Sequence, residues 1–161
     1  IGNLLTALKL LEIKNWINNF YFIGDGQEKK NFKSIAGNID HVNFHFTGAI
    51  SRKELNNYYK KCQILLLPSY SEGFPKVIPE AMAYGCVPIV SSVGSISHYL
   101  TSDCGILLDN SLPQTISNVL INIELNRDSL KKKAINGQRI TSKFSYENYI
   151  NKIKSLLVRN D

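Results

Sequence analysis

The stretch "ILLLPSYSEGFPKVIPEAMAYGCVPIVSS", Ile64 to Ser92, decides the fold. It opens on an unbroken apolar run, crosses a loop rich in serine, glycine and proline, continues with helical character, and returns to a second apolar run at "PIVSS" (88–92). Short apolar runs without alternation are strands covered on both faces, and a helix between two of them makes the strands parallel. Pro79 sets where the helix begins. Proline breaks a helix interior but is tolerated in the first turn, so the helix starts near Lys76 or Val77. Glu72 then lies in the loop before the helix, and Glu80 lies about one turn inside it.

Outward from this unit, "NFYFI" (19–23), "VNFHF" (42–46) and "GILLD" (105–109) read as further strands. Leu4, Leu5, Leu8 and Leu11 recur at helical spacing, and "SRKE" from Ser51 to Glu54 is a capping box opening a helix that runs to about Lys61. Further helices are expected near 76–84, 113–125, 128–140 and 146–157. Strands alternating with helices predict an α/β fold, a Rossmann-like parallel sheet with helices on both faces and right-handed crossovers. With 161 residues, 43% of them apolar, the chain is one domain with a single core. It opens on a helix where such a fold opens on a strand, so the expectation for residues 1–161 is a domain lacking its first strand.

Composition excludes several functions. The net charge of +6 comes from scattered lysines and the run Lys131, Lys132, Lys133, without the interleaved aromatics that stack on bases, so no nucleic-acid partner is expected. Such a run is a solvated helix face, or else attracts anionic lipid or an anionic substrate, which leaves room for peripheral contact with a membrane. Cys62, Cys86 and Cys104 form neither a disulfide framework nor a zinc site and are expected reduced and mostly buried. His41 and His45 lie on one face of "VNFHF" with no carboxylate or thiol at ligand spacing, and are read as structural. There is no apolar run of about 18 residues and no signal peptide, so the expected location is cytoplasmic.

In an open parallel sheet, ligands bind beyond the carboxyl ends of the strands, which selects the loops after Ile23, Phe46, Pro68 and Ser92. The loop after Pro68 carries the most chemistry. Gly73 permits close backbone approach, Phe74 offers an apolar wall, and the helix start offers amides to an anion. Two carboxylates alone would repel phosphate, but each can accept two hydroxyl hydrogens in charge-assisted bonds. A diphosphate with a polyol at either end, ribose on one side and hexose on the other, is the outline of a nucleotide sugar. Acidic residues around a helix start are also stabilising through the helix dipole alone, and spacing by itself does not separate the two readings.

The longer string "SEGFPKVIPEAMAYGCVPIVSSVGSISHYL" resembles the signature of the retaining family 4 (group 1) glycosyltransferases with the GT-B fold, where a glutamate, seven residues and a second glutamate precede a small-residue helix. "YFIGDGQEKKNF", "FTGAISRKELNNYYKKCQILLLPS" and "CGILLD" resemble neighbouring segments of the same family, so the resemblance covers essentially the whole chain. It implies the C-terminal, donor-binding half of a GT-B enzyme. It further implies that Glu72 touches hydroxyls of the donor sugar at the catalytic centre. Gly73, Phe74, Pro75 and Lys76 would line the sugar and diphosphate, Val77 would pack by the nucleoside, and Glu80 would accept the ribose hydroxyls. Ala49 and Ile50 would meet the base, while Gly24 and Gly26 would let a glycine turn approach the ligand.

The implied reaction is transfer of a hexosyl group from a nucleotide sugar to an acceptor hydroxyl with retention, as in polysaccharide biosynthesis. The resemblance implies no cofactor and no metal, and the absence of a DxD sequence is consistent with that. The acceptor, a saccharide or a lipid-linked one, would be held by an N-terminal domain, without which the chain alone is expected to be inactive. Ser95 and His98 stand where the family has glycine and glutamate, so no carboxylate is expected from that loop. Lys76 is the basic residue of the main motif. The alternatives are an epimerase or phosphorylase relative of the same fold and a non-catalytic nucleotide-sugar binding module. A nicotinamide-binding domain is disfavoured because Lys29 occupies the third glycine position after Gly24 and Gly26.

Overall fold

The computed structural model describes residues 1–11, 16–73 and 75–157. In chain order the described residues form α1 (Gly2–Lys9), β1 (Asn19–Ile23), α2 (Lys29–Ala36), β2 (Asn43–Gly48), α3 (Arg52–Lys61), β3 (Ile64–Leu67), α4 (Val77–Ala83), β4 (Val87–Ser91), β5 (Ile106–Leu108), α5 (Pro113–Leu125), α6 (Arg127–Ile140) and α7 (Tyr146–Leu157). The five expected strands are all present, and every strand pairing is parallel. The helix α2 was not singled out from sequence.

Local chemistry accounts for the boundaries that matter. Ser51 caps α3 in both directions: its hydroxyl accepts the Glu54 amide, and its own amide donates to Glu54 Oε2 at 2.8 Å. Because Ser51 also bonds the Glu54 side chain, the carboxyl is held below its ordinary pKa of 4.5. Lys76 is the residue before α4, so Pro79 falls in the first turn, where its missing N–H costs nothing. α5 likewise opens on Pro113.

The expected single sheet is in two pieces. β1 pairs with β2, and β3, β4 and β5 form a second sheet in that order. β1 and β3 are therefore both edges, and no local pattern in either sequence records a neighbour. The difference shows in burial: all five residues of β4 are buried, whereas the equally apolar Ile64 to Leu67 of β3 are all only half-buried.

The core also departs from the expectation of one cluster, because the sheets have two apolar faces. On one face, Leu4, Leu5 and Leu8 of α1 and Ile116 and Leu120 of α5 pack with Ile89 and Leu108, and Phe20, Phe22, Phe44, Phe46, Ile64 and Leu66 join them. This cluster takes residues from both sheets. On the other face, Ile78 and Met82 of α4 pack with Val90, Ile96, Leu100 and Cys104, and a smaller group joins Tyr59, Ala81 and Cys86. Each fully buried Leu or Ile contributes about 1.5–3 kcal/mol. Phe22 and Phe46 stack with centroids 4.7 Å apart, as the alternation in "VNFHF" requires. His41 bonds the Leu8 carbonyl and His45 bonds Asn19 Oδ1, which gives both imidazoles structural partners. The three cysteines are free; Cys86 donates to the carbonyls of Tyr59 and Cys62, and its thiol is pushed up to about 12 by burial and then by Cys62. In the lysine run, Lys131 pairs with Asp128 and Lys133 donates to the Ser102 carbonyl.

Candidate functional site

The loops at the carboxyl ends of the strands are tied to one another in three places, and the ties organise the site. The first joins β1 and β2. Gly24, at φ +121°, donates its amide to the Gly48 carbonyl at 2.9 Å, which brings the turn through Gly24 and Gly26 against the one through Gly48, Ala49 and Ile50. Gly48 is itself left-handed at φ +75°, and a Cβ there would sit 3.1 Å from Lys29 Nζ. Lys29, paired with Asp25 at 3.4 Å, thus places a half-buried cation beside the turn expected to meet a base. Gly26 is exposed, with open space around its Cα and its amide bonded to Asp25 Oδ1.

The second tie joins the start of α3 to α4. Arg52 Nη2 donates to Glu80 Oε1 at 2.9 Å, with Arg52 largely exposed and Glu80 half-buried. Tyr59 is buried, and its hydroxyl is raised by burial and, next, by the Glu80 charge. Around Glu80 the backbone of the helix start is partly spent: the Ile78 amide donates to the Pro75 carbonyl at 3.0 Å and the Glu80 amide to the Lys76 carbonyl at 3.2 Å. Pro75 is buried, Val77 half-buried and Lys76 exposed.

The third tie joins the loops after β3 and β4. Gly94, at φ +58°, packs so closely that a Cβ would lie 2.0 Å from the Glu72 carbonyl oxygen. Ser95 Oγ donates to the Gly73 carbonyl at 2.8 Å. The Glu72 side chain is half-buried, and its charge, after burial, helps raise the Tyr99 hydroxyl. Farther along the rim, Asn3 Nδ2 bonds Tyr70 Oη and the Ser111 carbonyl, which connects α1 to this loop.

Of the residues expected from sequence, the structure therefore brings Gly24, Gly26, Ala49 and Ile50 to one side of the rim and Glu72, Gly73, Pro75, Lys76, Val77 and Glu80 to the other. Phe74 lies outside the described residues. A recess of about 470 Å³ lies away from these residues, lined by Lys33, Ala36 and Gly37 around the end of α2 and by Val42, Asn43, Phe44 and Phe46. Sequence reasoning missed Arg52 and Lys29, which reach the site through the fold, and it valued Ser95 only for the residue it replaces. Ser95 instead fastens the Gly73 loop. His98 is exposed in the 3-10 turn Ile96–His98.

A fold of parallel strands whose glutamate loop, helix start and glycine turns meet at the carboxyl ends now has its counterpart among known proteins. The sequence model described as glycosyl transferases group 1 matches residues 1–140. The chain belongs to this family. An uncharacterized glycosyltransferase of Methanocaldococcus jannaschii, MJ1178, is 30% identical over 138 residues, covering 84% of this chain and 39% of that protein. This member of the family thus spans well under half the length of that relative. Among solved structures, Anabaena Alr3699/HepE in complex with UDP superposes with a TM-score of 0.79 at 20% identity, over 98% of this chain and 44% of that one. The C-terminal domain of the Francisella tularensis group 1 glycosyltransferase LpcC superposes with a TM-score of 0.72 at 23% identity, over 89% of this chain and 77% of that one. The chain thus has the parallel α/β fold of one domain of the GT-B glycosyltransferases.

Proposed function

We propose that the rim binds a nucleotide-diphosphate sugar and that, in the complete polypeptide, this domain supplies the donor for transfer of a hexosyl group to an acceptor hydroxyl with retention of configuration. The observation that carries the reading is the convergence of two carboxylates on one rim, with Glu80 at the start of α4 and Glu72 in the loop before it. Glu80 takes the ribose hydroxyls and Glu72 the hydroxyls of the transferred sugar. The departing diphosphate lies between them at the start of α4, near Lys76, where fixed amides and cations oppose its charge without a metal. The turn at Ala49 and Ile50 meets the base. That the Anabaena neighbour of the same fold binds UDP supports a nucleotide as the ligand.

The same proposal covers the sheet. A parallel strand between β1 and β3, preceding α1 by a right-handed crossover, joins the two sheets and buries the second side of Ile64 to Leu67. An acceptor domain, for a saccharide or lipid-linked acceptor, then faces the rim. Holding both substrates in register supplies several kcal/mol of the barrier, so the 161-residue chain alone does not turn over.

The test is thermal denaturation of the intact protein against UDP-, ADP-, GDP- and dTDP-sugars. A ligand at a hundred times its dissociation constant adds about 2.7 kcal/mol to the folded state. A clear shift with one nucleotide class, followed by labelled product with an acceptor pool, is expected. No shift with any of them overturns the reading, and turnover by the 161-residue chain at the intact protein's rate overturns the two-domain part.

A further inference from the structure

We infer that Arg52 is a positioning residue for the nucleoside end of the site, holding the Glu80 carboxylate in place and offsetting its charge against an incoming nucleotide. This rests on the nucleotide-sugar reading above and assigns a residue which that reading leaves without a role. Arg52 is the first residue of α3, two positions after the Ile50 turn, and its guanidinium crosses to a carboxylate 28 positions on at 2.9 Å. The pair therefore bridges the two loops between which a nucleoside would lie.

Stability does not account for this pair. With Arg52 79% exposed, it is a surface ion pair of the kind that contributes little to folding. Its geometry suits a ligand better. The contact is single, Nη2 to Oε1, rather than the two-pronged fork that arginine makes when it saturates a carboxylate. Among the described residues Glu80 Oε2 carries no second bond, so it remains available to a hydroxyl while Oε1 is held. Electrostatics points the same way. A nucleoside diphosphate brings at least two negative charges to a rim that already carries Glu72 and Glu80, and Arg52 removes one of these repulsions where the ribose docks. Lys76, on the loop side of α4, is left for the diphosphate.

The reading requires the effect of Arg52 to pass through Glu80 and the ribose hydroxyls. Calorimetry on the intact protein would use whichever of UDP, ADP and GDP binds tightest, together with its 2′,3′-dideoxy counterpart. Arg52→Ala is expected to weaken the ribonucleotide about fivefold, the upper range of an exposed charge contact, and to weaken the dideoxy form distinctly less, through the uncovered Glu80 charge alone. Arg52→Lys recovers most of the loss. In a Glu80→Gln background, Arg52→Ala changes nothing further. Tighter binding by Arg52→Ala would show that the arginine competes with the ligand, and an equal loss for both nucleotides would show a mere surface charge; either overturns the assignment, as does no change at all. Wild-type protein that binds none of the three nucleotides, and not dTDP either, overturns the nucleotide-sugar reading itself. Because Arg52 is exposed, an unchanged melting curve in the absence of ligand confirms that the variants are folded.

Discussion

The two ends of the rim are built by different means. At the Glu72 end the support is backbone: a left-handed Gly94 lies against the Glu72 carbonyl, and Ser95 bonds the Gly73 carbonyl. At the Glu80 end it is a side chain on another helix, reaching across open surface. Backbone packing admits almost no substitution, whereas an exposed ion pair can be exchanged at little cost. On the proposed reading, the sugar end is thereby fixed in shape, and the nucleoside end rests on a contact that a single substitution removes.

Gly94→Ala should break the comparison most severely. A left-handed alanine costs about 1–2 kcal/mol, and a methyl 2.0 Å from a carbonyl oxygen forces the Glu72 loop to move. The expected result is loss of measurable nucleotide-sugar binding with nucleoside diphosphate binding largely kept, read by calorimetry. Equal loss of both ligands would mean that the two ends are not separately supported.

Next in size are the carboxylates themselves. Glu80→Ala should weaken the bare nucleoside diphosphate, while Glu72→Ala should spare it and weaken only the sugar-bearing ligand. Each loss should be about 1.5–3 kcal/mol, the scale of a charge-assisted hydrogen bond. If both variants lose the bare diphosphate alike, the assignment of ends is wrong.

Ser51→Ala tests the platform on which Arg52 stands. Losing an N-cap of this kind costs about 1 kcal/mol, seen as a lower melting temperature. The Glu54 carboxyl is lowered in the folded state, so what its bond to Ser51 contributes is present above the ordinary value of 4.5 and fades as pH falls through the folded value. The gap between wild type and variant should therefore narrow below about pH 4.5 without closing, since the Ser51 hydroxyl still accepts the Glu54 amide. A gap that widens in acid would contradict this. The smallest expected effect is that of EDTA: donor affinity should be unchanged, and a loss restored by magnesium or manganese would remove the metal-free part of the proposal.

Much of this was legible in sequence because local chemistry left marks. Pro79 located the start of α4 to within a residue, the "SRKE" box located α3, and the apolar runs located β3 and β4. What escaped was long-range or concerned with neighbours. α2 is eight residues long and sets few apolar positions, chiefly Phe32 and Ile35, among its lysines, so its apolar face spans too few turns to stand out in the sequence. The break between β1 and β3 has no sequence signature, since an edge and a central strand can both read "ILLL". The Arg52–Glu80 pair joins positions 28 apart, and the need for glycine at 94 arises from the carbonyl of Glu72, in a different loop.

The division of the strands into two sheets, bridged on one face by the leucines of α1, also bears on how the molecule breathes. A two-stranded parallel ribbon has little cooperative reserve of its own, while β4 is enclosed between two strands and by helices on both faces. In the 161-residue chain, amide hydrogens of β1 and β2 should exchange with solvent through partial openings well below the free energy of global unfolding, and those of β4 only near it. If a strand joins the two sheets in the complete polypeptide, as proposed above, that difference should shrink there, and the Gly24 and Gly48 turns should become as still as the Glu72 loop.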